Sequence, residues 1–157
     1  VLMDMTNATT LGFLVALGAG VAIGLQGLFT NITGQMLGPV RGALAIHITG
    51  TLVGAVMVFF LLITNPNIEP MQLNGRSVLF ATLAGTCGMF IIMGIAFAFS
   101  RIGQVAGQGV LIFAQMGVAV FVDTLALAGG DPLPLDWRRL LGLALLGVGA
   151  YLLLPSN

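Results

Sequence analysis

Residues 103–123 read GQVAGQGVLIFAQMGVAVFVD. The stretch is apolar enough to cross a bilayer, yet it carries three glutamines and an aspartate. Setting Gln104 at zero on a helix of about 100° per residue puts Gln108 near 40° and Gln115 near 20°. Phe113 and Val120 then lie opposite, near 180° and 160°. The expected helix has a polar stripe and an apolar back. In hydrocarbon a polar stripe must face other protein or a water-filled cavity. The remaining helices are therefore expected to be arranged around it.

The composition agrees with a membrane setting. Of 157 residues, 58% are hydrophobic and 6% are charged. Soluble domains carry about 25% charged residues, so a soluble globular protein is excluded. Net charge is zero and lysine is absent, which gives no footing for nucleic-acid binding. The lone Cys87 sits in an apolar run and reads as a small core residue. The N-terminal stretch VLMDMTNATT has no basic region, so a cleaved secretory signal is not expected.

A spanning helix needs about 20 apolar residues. Five segments meet or approach that length: 11–30, 42–63, 78–99, 106–128 and 138–154. The fifth reaches its length only with Trp137, Arg138 and Arg139 at its interfacial start, where Trp and Arg anchor well. Residues 31–41 read as a polar, glycine-containing connection, and 64–77 and 129–136 as turn-rich loops. No linker separates a second domain. The expectation is one all-α integral membrane domain over 1–157, with five transmembrane helices.

Arginines sort to both sides of such a bundle. Arg76, Arg138 and Arg139 share the side of the N-terminus; Arg41 and Arg101 take the other. An oriented protein shows a clear basic excess on its cytoplasmic side, and this one does not. Either the chain inserts both ways and pairs antiparallel with itself, or a feature such as a partner sets one orientation. Gly20-x-x-x-Gly24, Gly50-x-x-x-Gly54 and Gly103-x-x-x-Gly107 fit close helix packing, inside the chain or between chains.

Covalent catalysis has little to work with. There is one His, one Cys and one Glu, and Glu69 lies in a proline-rich loop. No nucleophile triad, metal motif or phosphate loop is present, so no enzyme, cofactor or metal is expected. Polar residues inside the spans matter more. Gln26 closes the first helix and His47 opens the second. Gln108 and Gln115 form the stripe on the fourth. Each can line a cavity or bond to a neighbouring helix. Asp123, the only acid in a span, lies beside the stripe at about 100°. It is either a buried proton or cation site or an interfacial group bonded to an arginine at the same level. Asn31 reads as a cap or turn residue. Gln104 precedes the span and reads as a cavity-mouth or headgroup residue.

Several stretches together resemble the YdcZ-type family of the drug/metabolite transporter superfamily. They are GLQGLFTN, LGPVRGALAIHITGTLVG, SRIG and the spacing of Gln115 to Asp123. The resemblance runs from Gly18 to Leu154. Gln26 and Asn31 are five steps apart where the family has four, so Asn31 is not carried over. The first helix also lacks the embedded glutamate of the small multidrug relatives. What the resemblance implies is one five-helix, inverted-repeat half of a ten-helix transporter. It would be completed by a second antiparallel copy or a related five-helix chain in the bacterial inner membrane. Inverted repeats place a substrate near the midplane. Gln26, His47, Gln108 and Gln115 would bind a small polar or amphipathic solute there, with Asp123 as the coupling or charge-balancing residue. The competing expectation is a non-transporting subunit that stabilises a partner membrane protein, with the same stripe as a helix interface.

Overall fold

The computed structural model describes residues 2–65, 73–127 and 131–155, with side chains from residue 9 onward. Five helices follow one another: α1 (Leu2–Leu37), α2 (Pro39–Thr64), α3 (Gly75–Ile102), α4 (Gln104–Thr124) and α5 (Trp137–Leu152). The described residues contain no strand. The first four helices are each long and apolar enough to cross a membrane. At 16 residues, α5 rises only about 24 Å. Asp136 caps it, its carboxylate accepting from the Arg138 N–H at 3.2 Å. The expected five-helix membrane protein is what the chain forms. Glu69 lies outside the described residues.

Several helices run past the expected spans, α1 already starting at Leu2, and two ends change the reading of the sequence. The polar stretch after Thr30 is helical rather than a connection, and α1 continues to Leu37. Asn31 is therefore no cap. It sits inside the helix, where its Oδ1 accepts from the Gln35 amide one turn later at 3.2 Å. Polar residues at i and i+4 support each other along a helix, so their polarity did not mean a loop. At the other end, α4 stops at Thr124 instead of 128. Backbone N–H groups of Ala126 and Leu133 then bond to the Asp123 carbonyl and fold the chain away.

The breaks α1/α2 and α3/α4 use the same device. In LGPVRG (37–42) and IGQVAG (102–107), one glycine separates two helices. Gly38 has φ 81° and ψ 155°; Gly103 has φ 80° and ψ 162°. Only glycine occupies that region readily. Gly38 N–H bonds back to Gly34 O at 2.9 Å, and Gly42 N–H returns to Gly38 O at 2.9 Å. Gly103 repeats both bonds, to Phe99 O at 3.1 Å and from Gly107 N–H at 3.0 Å. Each glycine thus ends one helix and starts the next. The pattern leaves few backbone groups without partners, which a membrane demands.

The chain divides into two compact units. One joins Val1–Gly27 with Ala98–Asn157; the other is Leu28–Phe97. In the first, the Phe99 ring is 3% exposed and lies against Gly27 and Gly107, where a Cβ would overlap it. Helices α4 and α5 pair antiparallel. Gly109 meets Ala150 and Leu153, Gly147 meets Phe113, and Asp123 meets Arg139. In the second unit, Gly34 packs on Ala96, and Gly42 on the backbone of Thr33 and Gly34. The glycines at these points admit backbone or rings where a side chain could not go. The expected small-residue pairs behave differently. Gly20, Gly50 and Gly54 have open space over them within the chain, while Gly107 is closely packed.

Candidate functional site

In the first unit the glutamine stripe of α4 meets α1 at its start and is open further on. The Gln104 amide donates to the Gly24 carbonyl at 3.2 Å. A helical carbonyl keeps a second lone pair, and Gly24 has no side chain to shield it. Gln104 therefore ties α4 to α1. Gln108 is half-buried, its Oε1 3.5 Å from where a Cβ of Gly27 would stand. Two turns later Gln115 is exposed, in the middle of an apolar span. Gln26, beside the buried Gly27, is exposed too.

Asp123 sits in the last turn of α4 with its side chain 50% exposed. Its Oδ2 lies 3.9 Å from Nη1 of Arg139. The carboxylate thus stands at a helix end opposite an arginine. The pair is long. Nη1 of Arg139 is buried and has no hydrogen-bond partner, so the contact is a charge pair without a hydrogen bond.

In the second unit, His47 is half-buried on α2. Its Nδ1 lies 2.9 Å from the Ala43 carbonyl. A carbonyl only accepts, so Nδ1 carries the proton and a neutral ring keeps Nε2 as an acceptor. Nε2 would stand 2.9 Å from a Cβ at Gly88 of α3, which is why the imidazole fits there. His47 also lines a shallow notch of about 270 Å³ with Ile48, Thr51 and Leu52.

One polar residue escaped the sequence reading. Thr30 is 1% exposed, and its hydroxyl has no partner. A signal existed: Gly27, Thr30 and Gly34 fall on one face of α1, within about 60°, and that face is the closely packed one. Among the described residues no cluster of His, Cys, Asp or Glu could hold a metal.

Over residues 11–152 the chain matches the family model described as "Putative inner membrane exporter, YdcZ". The chain belongs to the YdcZ family. No curated protein and no solved structure matches it. The match covers all five helices except the first turns of α1. It makes the chain a multi-pass protein of the inner membrane, in agreement with the four spanning helices. It also points to a transporter rather than an enzyme, as the scarcity of reactive side chains suggests.

Proposed function

We propose that this YdcZ-family chain exports a small polar or amphipathic solute, and that two antiparallel copies form the working transporter by alternating access. The observation that carries this reading is the exposed Gln115 on a spanning helix whose neighbouring surface is apolar. An amide left without partners in hydrocarbon costs about 4–8 kcal/mol on a water-to-cyclohexane scale. Such a residue faces a partner chain or a wet cavity. The open glycines at positions 20, 50 and 54 add room for a second chain to approach. Symmetric pairing would bring Gln115 and Gln26 to the interface of inverted repeats, where substrates bind.

Within this reading Gln26, Gln108 and Gln115 offer hydrogen bonds to the solute. Asp123 balances Arg139 rather than binding cargo. The test is transport in proteoliposomes, using a solute found by its effect on thermal stability. Gln115→Ala is expected to lower transport roughly tenfold, as loss of a hydrogen bond to the bound solute does, while leaving melting temperature unchanged. Full transport by this variant would sink the site assignment. Absence of any stabilising solute would favour a non-transporting subunit.

A further inference from the structure

The α4–α5 pair leaves a groove of about 640 Å³. Met116, Val120, Leu143 and Leu146 form its apolar length, and Asp123 and Arg139 close one end. We propose that this groove holds a zwitterionic glycerophospholipid of the bilayer, with its phosphate at Arg139 and its primary ammonium at Asp123.

Three features carry the assignment. The first is the order of polarity. Both charges stand at helix ends, the last turn of α4 and the first turn of α5. Trp137 beside them is 66% exposed, with the Arg138 guanidinium 5.7 Å from its ring centre. Such a Trp–Arg pair marks the headgroup level. From Asp123 the groove runs back along α4 to Met116, about 10 Å into the hydrocarbon. A phospholipid has this same polarity.

The second is the state of Arg139. Its Nη1 is buried without a hydrogen bond, and the facing carboxylate is 3.9 Å away. The Arg139 side chain as a whole is 32% exposed at the groove's end, and Arg binds phosphate strongly. Asp123 would remain for a cation that can donate. A primary ammonium donates; a quaternary one does not. The volume lies within the range of ligand pockets, about 300–1,000 Å³.

The third feature separates the lipid from a second copy. All five acids of the chain fall on the membrane side of Asp123 if the five helices cross in turn; the opposite side carries only Arg41 and Arg101. An antiparallel copy would therefore bring arginines and no acidic side chain to this level.

The full chain is placed in nanodiscs containing phosphatidylethanolamine, phosphatidylcholine and phosphatidylglycerol, and retained lipid is read by native mass spectrometry. Phosphatidylethanolamine should be enriched roughly tenfold over phosphatidylcholine, the scale of one charged hydrogen bond. Asp123→Asn should erase that preference, and Arg139→Gln should release all three lipids. Leu143→Trp fills the groove, leaves both charged residues in place and should expel the lipid with helical content intact. Equal retention of the three lipids by the wild type would overturn the proposal, as would retention by Leu143→Trp. A Gly142→Cys disulfide between copies, in a Cys87→Ser background, would also overturn it, because a second copy would then cover the groove.

Discussion

Gly38 and Gly103 show how much one residue can decide in a membrane chain. Nothing lies within 4 Å of a Cβ built on either. Space is therefore not what requires glycine there; the backbone is. With φ near +80° and ψ beyond 150°, any other residue is strained by about 1–3 kcal/mol. Gly38→Ala and Gly103→Ala should each lower stability by that amount in detergent, measured by thermal or denaturant unfolding. Gly18 has equal space and a helical backbone. Gly18→Ala should be neutral or slightly stabilising, since alanine gains up to about 1 kcal/mol in a helix. Equal effects at all three positions would remove the backbone explanation. His47 and Gly88 make the complementary case. There the backbone is ordinary, and it is the imidazole that leaves no room for a methyl group.

At the scale of elements, the Phe99 ring is the packing centre of the first unit. It lies between a glycine of α1 and a glycine of α4, from its own place near the end of α3. Gly107→Ala drives a methyl into this ring, an overpacking that costs about 1–3 kcal/mol. Phe99→Leu removes part of the ring and should relieve much of that cost. A double-mutant cycle by unfolding should therefore give a coupling of about 0.5–3 kcal/mol, and strict additivity would refute the contact. The elements themselves were legible in the sequence, because long apolar runs have few alternatives. Their ends were less so. Helix α1 outlasts its apolar stretch because Asn31 and Gln35 bond along it. Helix α4 ends early where the Asp123 carbonyl receives loop N–H groups. Both depend on local hydrogen bonds that hydropathy does not register. The candidate site was legible as polar residue types on apolar helices. Which bond Gln104 makes, and that Asp123 faces Arg139, required the fold.

At the scale of the whole molecule, function turns on orientation. Five helices crossing in turn put Arg76, Arg138 and Arg139 on one side and Arg41 and Arg101 on the other. That near-balance is the sequence property that would let one chain insert both ways, and the proposed transporter needs both orientations at once. The requirement can be separated from the binding site. Arg41→Ala with Arg101→Ala leaves three arginines on one side and none on the other. Arg76→Ala with Arg138→Ala and Val40→Arg leaves one against three, with the Arg139–Asp123 pair intact. Each variant should insert predominantly one way, read by labelling single cysteines placed within residues 131–136 from either side of intact cells. Neither variant alone should transport, because parallel copies cannot form inverted repeats. Expressed together, they should recover transport, since each supplies the orientation the other lacks. Full transport by one uniformly oriented variant would end the antiparallel model. It would leave intact the five-helix fold and the membership in the family, neither of which depends on how two copies meet.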